Sequence, residues 1–499
     1  MADQHCFLGI DLGTSAVKIV LIDSDKKILS HQSVPYEVSS PEFGWREIDP
    51  ETWFVSMSGG MDAIFSQYDP QTIDAIGITG QLHTVVMLSE TGEPVRPAIM
   101  WDDMRTKDLI QQMRDIISEN PDCAYITKNI STGSPSANLY WLRHFEPQNF
   151  ARMKKFLIAP DYLVYCLTRV YGTDYTAAST SCLYDIHGMK WSPFMQNLIG
   201  LDSDVYPEVR GSGVIAGNLT AEIAKRFSMR ENVNVLTGMG DNPATAVSAG
   251  CLVQGYPVIS MGTSGVLIKP ASKAEPQDTK GKMILFSPDG LNFSCLAQGA
   301  LQSNGASFRW WVHSILGIDD YSQIDILLKD YVVRKSKLIF FPHLMGEKTL
   351  FSDPDIRGAF LGLSTLTTRE DMLYAVIEGL CYGYRELAEN MGLDLNRDST
   401  VRIVGGGSHS RIQAQILANV LNVTVEQMNM FVSPMFGIAL LAAYSGGFIE
   451  SFDKIANNSN MVKEIFKPEA EAVKICNEKY THYRKIYPAL KSVYERTSP

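Results

Sequence analysis

Phe7-Leu8-Gly9-Ile10-Asp11-Leu12-Gly13-Thr14-Ser15-Ala16-Val17-Lys18-Ile19-Val20-Leu21-Ile22-Asp23 is two short apolar runs on either side of a polar tip. Phe7 to Ile10 leads to Asp11, Leu12 to Ser15 turns, and Val17 to Ile22 runs back, so the stretch predicts a β-hairpin. Glycine at the turn tolerates positive φ and lets backbone N–H groups face outward. The pattern returns in mid-chain: Pro257 to Met261, then Gly262-Thr263-Ser264-Gly265, then Val266 to Ile268. One such unit alone reads as an ordinary tight hairpin. Two on one chain, the first with Asp at its strand end, predict two similar half-molecules that each offer a phosphate-sized cradle.

At 499 residues the chain is too long for one core, and two α/β domains are expected at 1–250 and 251–499. Hydrophobic residues make up 45% and charged residues 20%, which excludes a disordered chain. A net charge of −11 argues against nucleic acid or an anionic membrane surface as the partner. Phosphates bound by such a chain need local donors or a divalent cation. The 8 cysteines are scattered without a C-x-x-C pair, and several sit in apolar runs, as Cys166 does, which fits a reducing compartment. No charged-then-apolar leader opens the sequence, and no apolar run approaches the ~18 residues of a membrane span. A soluble cytoplasmic protein is expected.

In chain order, Ile28–Val34 adds a third strand, and Asp49-Pro50 heads a helix over 51–66. Ile73–Ile78 is a strand that ends at Thr79-Gly80-Gln81-Leu82-His83. Residues 105–200 read as helical and irregular. Val233–Leu236 is a strand running into Gly238-Met239-Gly240-Asp241-Asn242-Pro243 and a helix. In the second half, strands are expected at 337–342 and 401–404, and helices at 369–391 and 411–421. A long charged amphipathic helix is expected at 469–496, packing back across the domains.

Four groups of residues carry chemistry. Asp11, Gly13, Thr14, Ser15 and Lys18, with Gly262, Thr263 and Ser264, suit phosphate oxygens, and a carboxylate alongside suits a hydrated Mg²⁺. Asp241, after two glycines at a strand end, is either a helix N-cap or a general base for a substrate hydroxyl. Gly405-Gly406-Gly407-Ser408 is either a plain strand–helix turn or a bare platform for a flat ring. Gln81, His83, Trp101, Asp102, Asp103 and Arg105 are residue types a polyol pocket uses, although each alone is as well explained by a structural role. G-x-G-x-x-G, G-x-x-x-x-G-K-[ST] and H-E-x-x-H are all absent, which sets aside Rossmann, P-loop and zincin chemistry.

Taken together these segments resemble the FGGY carbohydrate kinases over nearly the whole chain. FLGIDLGTSAVKIVLID and VISMGTSGV are similar to the family's two phosphate segments. GWREIDPETWF is similar to its GW-x-E-x-DP-x-x-W stretch, and GMGDNPATAVSAG to the segment holding its catalytic aspartate. GAFLGLSTLTTREDMLYAVIE, from Gly358 to Glu378, fits the second family signature, and VGGGSHSRIQAQILANVLNVTV resembles the adenosine segment. ITGQLH followed by AIMWDDMR is similar to the pattern G-Q-M-H then A-I-L-W-N-D-x-R of xylulose-acting members.

The resemblance implies two RNase H-like domains of the actin-like ATPase superfold, with ATP and sugar meeting in the cleft. It implies Asp241 as general base and Asp11 as support for Mg²⁺ through water. Thr14, Ser15, Thr263 and Ser264 would flank the phosphates, and Gly305, Arg309, Gly406, Gly407, Ser408 and Arg411 would hold the nucleotide. Leu82, His83, Trp101, Asp103, Asp241 and Asn242 would meet the sugar. The implied activity is ATP-dependent phosphorylation of a ketopentose, D-xylulose first, with ribulose, L-xylulose or glycerol as alternatives, and relatives are commonly homodimers. An actin-like nucleotide switch without sugar chemistry is the alternative of a different class. Leu82 stands for the usual Met, Thr84 for Gly, Asp102 for Asn and Asn138 for Lys, while Gly346-Glu347-Lys348-Thr349-Leu350 departs from G-E-R-T-P.

Overall fold

The computed structural model describes residues 5–271, 281–329, 337–347, 349–351, 353–455 and 461–494. Lys348 and the end of the expected tail helix therefore lie outside the described residues. The opening hairpin forms as its pattern predicts: β1 (Cys6–Leu12) pairs antiparallel with β2 (Ala16–Asp23), with Asp11 opposite Lys18. β3 (Ile28–Pro35) continues the meander. On the other side of β1 lies β4 (Ile73–Gly80), parallel, with Asp11 beside Thr79. A parallel neighbour needs a crossover, and α1 (Glu51–Phe65) supplies it; at its head the Asp49 carboxylate accepts the Glu51 N–H at 3.0 Å.

β5 (Ile215–Asn218) and β6 (Asn234–Leu236) complete the row β5-β6-β4-β1-β2-β3, and the two-residue β7 (Met239–Gly240) runs parallel to the end of β4. Between β4 and β5 the chain is mostly helical, including α2 (Ala159–Thr168) and α3 (Tyr175–Thr180). It also holds strands missed in the sequence, notably Lys155–Ile158, which pairs with Val85–Leu88 in a small four-stranded sheet. So short an apolar run does not distinguish strand from buried helix. α4 (Asp241–Ser248) closes the first half.

The second half repeats the plan. β8 (Val258–Met261), β9 (Gly265–Ala271), β10 (Lys282–Phe286), β11 (Ser294–Leu301), β12 (Thr400–Val404), β13 (Thr424–Met428) and β14 (Val462–Phe466) form one sheet in the order β10-β11-β9-β8-β12-β13-β14. In each half an antiparallel trio is followed by two parallel strands: β3-β2-β1-β4-β6, and again β11-β9-β8-β12-β13. This is the RNase H-like order, present twice. Its helices are α5 (Asn304–Arg309), α6 (Arg369–Asn390), α7 (Arg411–Leu421), α8 (Pro434–Ser445), α9 (Ala470–Tyr483) and α10 (Ile486–Tyr494).

The expected single tail helix is thus two. Pro488 explains the break, because it has no N–H to donate and its ring clashes with the carbonyl four residues back, at Arg484. The contacts described for the tail lie in the second half. Tyr480 and Tyr483 pack on Tyr382 with ring centroids 5.7 and 5.3 Å away, and Lys479 pairs with the buried Glu378.

α8 reads apolar on every side and is buried on every side. It lies on the first half's sheet so closely that a Cβ on Gly9 would come 2.0 Å from the Met435 carbonyl oxygen. A Cβ on Gly437 would come 2.0 Å from the carbonyl of Ala244, in α4. Phe7, Val20, Leu236 and Met239 therefore share one apolar cluster with Phe436, Ile438 and Leu441. The halves also meet where Ala178, Tyr184 and Ile186 join the core of the second.

Candidate active site

The ends of β1, β4 and β7 deliver the central groups. β4 is shared: Asp11 and Met239 both flank Thr79, and Leu12 and Gly240 both flank Gly80. Asp11 and Asp241 thus emerge at the same edge of the sheet. Burial pushes the Asp11 carboxyl up to about 7, with the Lys18 cation opposing and the Asp241 charge reinforcing the rise. Burial likewise pushes Asp241 up to about 6, against the Asn242 N–H that its carboxylate accepts at 2.7 Å and the nearby Lys18. Asp241 is not the N-cap. Gly240 holds that position, and Asp241 is the first residue of α4. Asp11 Oδ1 is a buried acceptor without a partner among the described residues.

Around this pair stand further unpartnered polar atoms. Both side-chain polar atoms of Gln81 and Nε2 of His83 are buried without partners among the described residues, as is Asp102 Oδ1. His83 adopts φ +76°, a strained choice for a residue with a side chain. Burial and the Lys282 charge hold its imidazole well below its ordinary pKa, so the ring is neutral and one nitrogen can donate while the other accepts. Leu82 lies against Gly240, where a Cβ would come within 2.6 Å of its side chain. Trp101 is no core residue. The residue is 44% exposed, and its Nε1–H donates to Thr14 Oγ1 at 3.2 Å, tying it to the first Gly-Thr-Ser turn.

Asp103 behaves differently from its expected role as a sugar acceptor. It is wholly buried, and its oxygens take the Arg105 N–H, Nε and Nη2 and the Arg46 N–H at 2.6–2.9 Å. Those four bonds use up its acceptor positions. They place the Arg105 guanidinium 3.9 Å above the Trp45 ring, where it also pairs with Glu47. Asp103 anchors Arg105 and the backbone of Arg46.

The second cradle is built as the first. Gly262, Thr263 and Ser264 form an exposed turn. The start of α5 is fastened to it: Ala306 N–H donates to Thr263 O at 2.8 Å, and a Cβ on Gly305 would lie 2.0 Å from Gly262 O. β8 and β12 are parallel with Ser260 beside Val404, so the glycine run follows at the same edge. Gly405 has φ +89°, Gly406 faces open space, and a Cβ on Gly407 would press on Met261. Ser408 and Arg411 have their side chains engaged locally, Ser408 Oγ donating to Gly405 O at 2.7 Å and Arg411 pairing with Glu464. Arg309 is exposed at the end of α5.

Sequence reasoning missed Asp174, Thr176 and Ser212: the Thr176 hydroxyl and the Ser212 carbonyl accept the N–H groups of Gly240 and Gly238, and the Asp174 carboxylate holds both hydroxyls. An Asp two residues before a Thr at a helix start signals a cap, but nothing in the sequence signals a bond spanning 64 positions.

Each hydroxyl-bearing glycine turn has the groups to take phosphate oxygens, and the Asp241 carboxylate is of the kind that takes a proton from a hydroxyl. Residues 6–248 match the N-terminal domain model, and 258–446 the C-terminal domain model, of the FGGY family of carbohydrate kinases. A protein of Lactococcus lactis subsp. lactis named xylulose kinase is 31% identical over 98% of this chain and 97% of its own length. One of Staphylococcus epidermidis with the same name is 28% identical over 99% and 97%. A solved structure from Brucella ovis, described as a xyloylose kinase, superposes with a TM-score of 0.90 at 28% identity, covering 98% of this chain and all of the other.

Proposed function

We propose, for a chain that belongs to the FGGY family of carbohydrate kinases, ATP-dependent phosphorylation of D-xylulose to D-xylulose 5-phosphate. The observation that carries this reading is the Asp11–Asp241 pair, two carboxyls raised toward neutrality at the edge where the first phosphate turn begins. The choice of sugar is supported by the full-length relatives named xylulose kinase.

Asp241 takes the proton of the sugar hydroxyl as that oxygen bonds to the terminal phosphorus of ATP; the phosphorus–oxygen bond to ADP breaks, and the proton stays on the carboxylate. A base with a pKa near 6 is ionised at neutral pH and still basic enough to accept it. Leu82, neutral His83, Gln81, Trp101 and Asn242 orient the sugar. Thr14, Ser15, Thr263 and Ser264 steady the phosphates, while Gly305, Arg309 and the glycine run Gly406-Gly407 border the nucleotide.

Asp11 fits a hydrated Mg²⁺, because its free Oδ1 is a hard oxygen donor beside the first turn. When bound, that cation would neutralise charge on the phosphates. Among the described residues no group of three or more His, Cys, Asp or Glu side chains forms a metal cage, as suits an ion that keeps most of its waters.

The test is ADP release measured with D-xylulose, D-ribulose, L-xylulose and glycerol, with the product identified by phosphorus NMR. D-Xylulose should give the highest kcat/KM. A markedly better turnover of another polyol would replace it as substrate. ADP release indifferent to every sugar would restore the nucleotide-switch alternative.

A further inference from the structure

Asp241 follows Gly238-Met239-Gly240, in which only Met239 has a side chain, packed in the cluster under α8, and Gly238 sits at φ +93°. Besides that packing and the pairing with β4, a hydrogen-bonded chain fixes the two glycines. The Gly240 N–H donates to Thr176 Oγ1 at 2.8 Å, and that hydroxyl gives its own proton to Asp174 Oδ1 at 2.8 Å. The Gly238 N–H donates to Ser212 O at 3.1 Å, and the Ser212 hydroxyl donates to Asp174 Oδ2 at 2.7 Å. Asp174 is wholly buried, and its remaining bonds, from the N–H groups of Thr176 and Ala177, start α3. A helix cap needs only those two backbone bonds; the two hydroxyl bonds serve the strand of the base.

The same chain touches the second half. The Ser212 N–H donates to Ser287 O at 2.7 Å, just past β10, and the Gly213 N–H to Pro288 O at 2.9 Å. At the far end of α3 the Ser179 hydroxyl accepts the Leu285 N–H at 3.0 Å. Asp174 is thus linked to Gly240, the residue before the base, through the Thr176 hydroxyl, and is bonded directly to Ser212, which the second half grips.

We propose that Asp174 and Thr176 are positioning residues for phosphoryl transfer: they fix the backbone that carries Asp241 and tie it to the contact between the halves. This rests on Asp241 being the base. The link needs a hydroxyl, because the atom between Gly240 and Asp174 must accept from one and donate to the other. Thr176 is buried, which leaves no room for water to take over. On the opposite side Leu82 presses against Gly240, so a shift of Gly240 moves Asp241 relative to the sugar. A misplacement of ~1 Å at a reacting group costs on the order of 10²-fold in rate.

The experiment compares Thr176→Val, Thr176→Ser and Ser212→Ala with Asp241→Ala and with the Thr176→Val/Asp241→Ala double variant, in the full-length protein, by kcat, both KM values and melting temperature. Thr176→Val should lower kcat by roughly 10²-fold with the KM for ATP unchanged. Thr176→Ser should restore turnover, Ser212→Ala should lower kcat in the same selective way, and the double variant should be no slower than Asp241→Ala alone. Parent-level kcat in Thr176→Val, equal losses in Val and Ser, or a double variant that multiplies the two losses would overturn the proposal. Should Thr176→Val fail to fold, Ser212→Ala decides, and parent-level kcat there overturns it. Substantial turnover in Asp241→Ala would instead remove the base assignment itself, a separate outcome.

Discussion

Asp11 and Asp241 both carry raised pKa values, about 7 and about 6, and in both the charge of Lys18 pulls downward. As the proposed base Asp241 works deprotonated, so kcat/KM for the sugar should climb as pH rises through about 6 and level off above about 7. Lys18→Met removes a cation that favours both carboxylates and should move that acid limb to higher pH. A profile that stays in place would separate Lys18 from the pair. Replacing the proposed base, Asp241→Asn, should cost roughly 10²–10⁴-fold in kcat while leaving ATP binding by calorimetry intact. The same shift has a stability face. Asp11 folds with a pKa above the ordinary value of 3.8, so its favourable contribution is present below that value and is lost as pH rises through about 7. Asp11→Asn should therefore raise the melting temperature of the ligand-free protein at pH above about 7 and leave it unchanged near pH 4, even as activity is lost.

Elements built from local signals were readable. The two hairpins, the β4 strand, α6 and the strand–glycine–helix unit at β12 all follow from period and punctuation, and they carry the two Gly-Thr-Ser turns and both carboxylates. The tail misled because Pro488 falls inside an otherwise unbroken amphipathic pattern. Asp103 looked available because a sequence shows its charge but not the Arg105 and Arg46 groups that consume it. The chain from Asp174 to Gly240 was illegible for another reason: its members are ordinary cap and hydroxyl residues joined only by tertiary contact. Two variants probe the elements. Gly437→Ala forces a methyl against the Ala244 carbonyl and should destabilise by about 1–3 kcal/mol, with turnover falling too because α4 begins at Asp241. Lys479→Met leaves Glu378 buried without its partner and should cost about 3–5 kcal/mol, seen in denaturant unfolding. A change below measurement in either would show that the contact yields.

At the scale of the molecule the duplication is structural but not chemical. Ser260 occupies in β8 the place that Asp11 occupies in β1, two residues before the Gly-Thr-Ser turn, so one jaw carries the carboxylate and the other does not. The cleft should respond as two jaws on a fixed base. With sugar and a non-hydrolysable ATP analogue, amide exchange should slow at 13–15 and 262–264 while α8, already buried, stays unchanged. Slowing in α8 instead would place the moving part between sheet and helix. The position of α8 also sets a clock on biosynthesis. β1 leaves the ribosome long before Pro434, where the helix that covers it begins, and at about 5–20 residues per second the wait is roughly 20–90 s. For that interval Phe7 and Val20 have no permanent cover, so nascent chains halted before residue 434 should bind chaperones that completed chains no longer need.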